Sequence, residues 1–290
     1  MFTGSLTAMI TPFRAGAVDR AALADLVERQ IAQGSNGLVP CGSTGESATL
    51  SHDEHIEVVR EVVRVARHRV PVIAGTGSNS TTEAIRLTRA AEEAGADGAL
   101  LISPYYNRPT QDGIYRHYAA VADASKLPLI VYNIPGRTAS NITPETMARL
   151  ARLPSIVGVK EASGSLTQVI EVIAACGPDF AVYSGDDILT LPIIAAGGKG
   201  VISVVGNLVP GELRKVTDAL LGGRLDEGRA HMYRLLPLVQ AMSLEVNPIP
   251  VKTALALMGR CTDEFRLPLT PMAAHTRAQL ETTLKEQKLV

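Results

Sequence analysis

The sequence predicts an α/β protein, a (β/α)8 TIM barrel with a C-terminal helical extension. Three observations lead there. Eight short runs of β-branched and other apolar residues recur along the chain. Between them lie amphipathic stretches, several opening on Ser, Thr or Asp and closing on Gly, as helix ends require. The runs are near-continuously apolar, which fits parallel strands buried on both faces. Eight such units in about 220 residues match a closed barrel better than a doubly wound sheet.

In chain order the strands are expected at 5–11, 37–41, 71–75, 98–103, 128–133, 156–160, 180–184 and 200–205. Helical periodicity over 19–33, 51–67, 81–94 and 143–152 supplies connections between them. From Pro210 onward no strand is evident, and 225–244, 250–258 and 271–288 read as helices. Residues 1–210 should therefore form the catalytic barrel up to strand eight and its loop. Residues 211–290 should add its last helix and the extension, as one structural unit, since no Ser/Gly-rich linker separates them.

Composition narrows the partners. The chain has 290 residues, 46% hydrophobic, with 28 basic against 29 acidic side chains and no basic block, so neither nucleic acid nor an anionic membrane surface is an expected partner. No apolar run approaches the ~20 residues that span a bilayer. The start lacks a basic leader before an apolar stretch, and a cytoplasmic protein is expected. Cys41, Cys176 and Cys261 are odd in number and widely spaced, which suggests reduced thiols rather than disulfides or a zinc site.

The chemistry is expected at the C-terminal ends of the strands, where barrel active sites are built. Lys160 is the lone charge in the apolar run 156–160. Burial lowers a lysine's pKa and yields a neutral amine able to attack a ketone and form a Schiff base, whereas a lysine at a strand end can also snorkel to solvent. After strand two, Gly42-Ser43-Thr44-Gly45-Glu46 offers glycines for a tight turn, backbone N–H groups and two hydroxyls, which is either a cradle for a carboxylate or a simple helix-capping turn. Pro104-Tyr105-Tyr106-Asn107 follows strand four and Tyr132-Asn133-Ile134-Pro135-Gly136-Arg137 covers the end of strand five. With only 7 tyrosines and no tryptophan in the chain, this clustering points to a hydroxyl relay rather than ordinary rim aromatics.

These segments, with Gly158-Val159-Lys160-Glu161-Ala162 and Asn247-Pro248-Ile249-Pro250-Val251-Lys252, resemble those of the 4-hydroxy-tetrahydrodipicolinate synthase family, historically dihydrodipicolinate synthase, in order along essentially the whole chain. The resemblance implies a class I, Schiff-base aldolase-type lyase that needs no cofactor or metal and condenses pyruvate with aspartate-4-semialdehyde on the way to lysine. It casts Lys160 as nucleophile and Tyr132 as proton donor and acceptor, with Ser43 and Tyr106 as the relay to solvent. Thr44, with the loop N–H groups, would hold the pyruvate carboxylate, the backbone at Ile202 would complete that pocket, and Arg137 would hold the carboxylate of the semialdehyde. Ser43 is a departure, since members usually carry threonine there; the hydroxyl stays but the methyl that restricts its rotamer is gone.

The resemblance also implies that Tyr106 reaches into a neighbouring subunit, giving a homo-oligomer, a tetramer built as two dimers. An L-lysine effector site is implied at Ser47, Ala48, His52, His55, Asn79, Glu83 and Tyr105. The same barrel serves N-acetylneuraminate lyases and 2-keto-3-deoxy-sugar-acid aldolases, from which Arg137 distinguishes this chain. A keto-acid-binding sensor or scaffold would be expected to lose Lys160 or Tyr132, and both are present. Other motifs carry less. Gly75-Thr76-Gly77-Ser78-Asn79-Ser80 lacks the third glycine of a dinucleotide loop, His52-Asp53-Glu54-His55 lacks a third metal ligand, Cys41 reads as a small buried residue, and Asp186-Asp187 as a turn and helix cap.

Overall fold

A computed structural model describes residues 2–290. Eight parallel strands form the barrel: β1 (Gly4–Ala8), β2 (Gly37–Val39), β3 (Ile73–Gly75), β4 (Gly98–Ile102), β5 (Leu129–Asn133), β6 (Ile156–Glu161), β7 (Ala181–Ser184) and β8 (Gly200–Ser203). Each pairs with its sequence neighbours, β8 returns to β1, and the ring closes between β2 and β3 through the Leu38–Val72 bridge and the Leu38 N–H to Pro71 carbonyl bond of 2.9 Å. The predicted barrel is the fold, with the tail helical as expected: Pro210–Leu221, Leu225–Ala241, Ile249–Leu257 and Ala274–Glu286.

Alternation along the strands divides the apolar side chains between two cores. Leu6, Ala8, Val39, Ile73, Leu100, Ile130, Tyr132, Tyr183 and Ile202 fill the barrel interior. Their neighbours, such as Leu129, Val131, Val159 and Val201, face outward and pack under the helices, in one cluster with Val251, Leu255, Leu280 and Leu284 of the extension. This double burial is why the strands read as unbroken apolar runs.

Local chemistry sets the helix starts. Asp19 caps Arg20–Ala32 by accepting from the Ala22 N–H, and Ser51 caps His52–Ala66 in a reciprocal capping box with Glu54. Strands end earlier than the apolar runs do. The run 5–11 stops as a strand at Ala8, and Phe13–Arg14 with Ala17–Val18 form a small antiparallel hairpin, two residues a side, too short to register as an alternating pattern. The run 71–75 starts as a strand at Ile73: Pro71 has no N–H to give a ladder, and the Val72 N–H goes to Asp97 Oδ2 at 2.8 Å. No helix among the described residues is long and apolar enough to cross a membrane.

Candidate active site

Lys160 lies on β6 with Tyr132 and Tyr183 as its cross-strand partners, which directs it into the barrel rather than outward to solvent. It is 5% exposed. Burial pulls its ammonium pKa down to about 8, with Asp187 resisting and Arg137 assisting. The Nζ atom sits 4.3 Å from the centroid of the Tyr132 ring. Gly185 makes this possible: a Cβ there would approach Lys160 Cε to 3.2 Å and Ala162 Cβ to 2.7 Å. Burial also raises the Tyr132 phenol to about 12, opposed by Arg137 and by the Ser43 hydroxyl beside it.

The turn after β2 is built differently from the expectation. The residues with left-handed backbone are Cys41 (φ 56°) and Glu46 (φ 53°), while Gly42 at φ −81° needs no glycine freedom. Packing imposes this conformation, since Glu46 is anchored where its backbone alone would not settle. Its Oε1 lies 2.6 Å from Lys252 Nζ, with both side chains wholly buried, and its Oε2 accepts from the Arg266 N–H at 3.4 Å. Ser43–Gly45 then forms a single 3-10 turn in which the Gly45, Glu46 and Ser47 N–H groups bond within the loop. Thr44 is buried, and its Oγ1 accepts from Asn247 Nδ2 at 3.1 Å. Arg137 follows β5 in the short helix Pro135–Thr138 and donates to the Asn247 carbonyl at 2.9 Å. Ile202, on β8, is buried in the barrel interior.

A cavity of ≈ 460 Å³ opens over the barrel mouth and is lined by Ser43, Tyr132, Arg137 and Asn247 together with Ser47, Ala48, His52, His55, Glu83 and Tyr105. It thus joins predicted catalytic residues to most of the predicted effector positions. Asn79 does not line this cavity, and its carbonyl accepts from Asn107 Nδ2 at 2.9 Å. Glu83 is held below the usual carboxylate range by hydrogen bonds from Ser78 and His52. His55 donates Nε2–H to the Gly75 carbonyl at 2.7 Å, and burial keeps its ring neutral to lower pH than usual. The two histidines of 52–55 therefore have separate structural partners. Tyr106, in contrast, is 89% exposed with φ 68° and does not meet Ser43, Tyr132 or Lys160 within one chain.

Three residues of the site went unremarked in the sequence as individuals. Asn247 and Lys252 sit in a segment that carries the family resemblance, which was the available signal. Asp187 falls in a stretch whose sequence marks a turn and cap; Asp186 does accept from the Ile188 N–H at 3.3 Å, but Asp187 is buried against the end of β8.

A closed barrel with a desolvated lysine under a tyrosine at its C-terminal mouth defines a class of enzyme that works through an amine nucleophile. Residues 1–287 match the dihydrodipicolinate synthetase family, and the chain belongs to that family. The 4-hydroxy-tetrahydrodipicolinate synthase of Geobacter sulfurreducens is 55% identical over 290 residues, covering 100% of both chains. The dihydrodipicolinate synthase from Acinetobacter baumannii complexed with pyruvate matches at a TM-score of 0.98 and 44% identity, over 100% of both chains. The enzyme from Cyanidioschyzon merolae with lysine bound matches at a TM-score of 0.97 and 41% identity, over 100% of this chain and 99% of that one.

Proposed function

We propose that the protein is a 4-hydroxy-tetrahydrodipicolinate synthase, condensing pyruvate with L-aspartate-4-semialdehyde in lysine (diaminopimelate) biosynthesis. The observation that carries this is the buried Lys160 amine packed against Tyr132 in a chain that matches the family from end to end. With its pKa near 8, an appreciable share of the amine is neutral at physiological pH and ready to attack.

The amine adds to the pyruvate ketone, and loss of water with uptake of one proton leaves an iminium. A methyl proton then departs to give an enamine, whose carbon adds to the aldehyde. Cyclisation through the semialdehyde's amino group releases Lys160. Tyr132 gives and takes the protons, and its raised pKa makes the phenol the resting form. Ser43 passes them on toward Tyr106, which reaches the site from a neighbouring subunit. Thr44, with the backbone at Ile202, holds the pyruvate carboxylate, and Arg137 the carboxylate of the semialdehyde. The exposure of Tyr106 leaves it free to reach a neighbouring subunit, and the assembly proposed is a homo-oligomer, a tetramer built as two dimers. L-Lysine would act as effector at the rim around Glu83, His55 and Tyr105, and the setting would be the cytoplasm.

The test is a coupled assay with pyruvate and aspartate semialdehyde, run beside pyruvate with N-acetylmannosamine, together with borohydride trapping and peptide mapping. Turnover of the first pair and an adduct at Lys160 are expected. An adduct elsewhere, or preference for the sugar, overturns the assignment.

A further inference from the structure

Tyr132 and Lys160 face each other across β5 and β6, and the next register pair, Asn133 with Glu161, is the last of the two strands. Beyond it the chains part, one into the short helix Pro135–Thr138 and the other into the loop before the helix Leu166–Cys176. Alternation turns Asn133 and Glu161 to the outer face of the barrel, where they are 0% and 2% exposed. Asn133 Nδ2 donates to Glu161 Oε1 at 3.2 Å and Oε2 at 3.1 Å, the Ser163 N–H to Oε1 at 2.8 Å, and Gln168 Nε2 to Oε2 at 3.3 Å. Asn133 Nδ2 also meets Asn141 Oδ1 at 2.9 Å, and its Oδ1 accepts from the Ile142 N–H at 3.1 Å. Asn141 Nδ2 donates to Gln168 Oε1 at 2.7 Å and closes the ring of side chains. No buried polar atom of these four side chains lacks a partner. Two residues back on the same face, the register pair is Val131 with Val159, buried and apolar. Packing alone would be met by another such pair at lower desolvation cost, whereas a fully satisfied polar network admits one arrangement.

We propose that Asn133 and Glu161 are positioning residues for proton transfer at the imine, locking the ends of β5 and β6 so that Tyr132 keeps its place relative to Lys160. The inference rests on the pyruvate imine at Lys160. With Nζ 4.3 Å from the Tyr132 ring centroid, any slip between the strand ends moves the phenol against the imine directly. The step that depends on this is enamine formation. A methyl C–H bond of the iminium breaks, its electron pair forms the C=C bond, and the C=N pair returns to nitrogen. The proton goes to the Tyr132 oxygen, which hands its own to Ser43.

E161Q keeps the side chain's size but turns one acceptor into an NH2 group, which must then face a donor. Incubate the protein with pyruvate in D2O and follow loss of the methyl proton signal by NMR, beside the borohydride-trapped adduct and the melting temperature. E161Q is expected to fold and to half-saturate the adduct within about threefold of the parent, yet to exchange methyl protons about ten- to hundredfold more slowly. N133D/E161Q restores the cross-strand bond with its polarity reversed, and should recover most of the loss. The proposal is overturned by E161Q exchanging as fast as the parent, by its losing trapping and exchange alike, or by its gaining nothing from N133D. A parent that traps no pyruvate overturns the imine and this inference with it. Should E161Q fail to fold, N133A decides by the same split, since it leaves Glu161 its bonds from Ser163 and Gln168.

Discussion

Replacing Lys160 with methionine should abolish turnover and make the protein more stable. Burial brings the amine's pKa from 10.5 down to about 8, and each unit is worth about 1.4 kcal/mol, so the folded state carries a penalty of about 3 kcal/mol for this side chain. The sign follows from proton binding. Between about pH 8 and 10.5 the unfolded chain binds more protons at this site than the folded one, so stability rises with pH through that window. Below it the penalty is fully present; above it, absent. Methionine is of similar length, unbranched and uncharged, and escapes the penalty at every pH. Urea unfolding of the parent and K160M at about pH 7 should therefore differ by about 3 kcal/mol in favour of K160M, with the gap closing toward about pH 10.5. A K160M protein no more stable than the parent at neutral pH, or a gap unchanged across that range, would refute a desolvated amine at Lys160.

Other perturbations test the groups around it. K252M leaves the Glu46 carboxylate buried without its cation and should cost about 3–5 kcal/mol in urea unfolding, most of it recovered in the double variant E46Q/K252M. S43A should lower kcat while pyruvate still forms the imine, and S43T should retain activity; equal kcat for S43A and the parent would remove Ser43 from the relay. R137A should raise the KM for aspartate semialdehyde about ten- to hundredfold with imine formation intact, and an effect confined to pyruvate would contradict its role.

The barrel was legible because its strands are buried on both faces, so each printed itself as an apolar run, and because Asp19 and Ser51 mark helix starts with their own side chains. The lysine proposed as nucleophile was legible for the converse reason: Lys160 is the single charge such a run contains. What stayed hidden depends on contacts that sequence spacing does not carry. The partner of Glu46 is 206 residues away, and nothing local to Ser43-Thr44-Gly45 says that the strained residue of the turn is Glu46 rather than a glycine. Asp187 looked like its neighbour Asp186, and only the adjacency of β7 and β8 separates a capping carboxylate from a buried one facing Val204 and Val205.

The extension is bound into the site rather than laid beside it. Asn247, in the loop that leads into the helix Ile249–Leu257, gives its side-chain N–H to Thr44 Oγ1 and offers its backbone carbonyl to Arg137. A hydroxyl that accepts one hydrogen bond keeps its own proton free to donate. Thr44 is thereby poised as a donor, which is the polarity that binding a carboxylate requires. The same residue fixes the guanidinium that would receive the second substrate. Five residues further on, Lys252 pins Glu46 and with it the turn that carries Ser43 and Thr44. The separation between Thr44 and Arg137, the two groups proposed to bind carboxylates, is therefore set by one segment outside the eight-fold repeat, so loosening that segment should weaken the use of both substrates even though it touches neither Lys160 nor Tyr132.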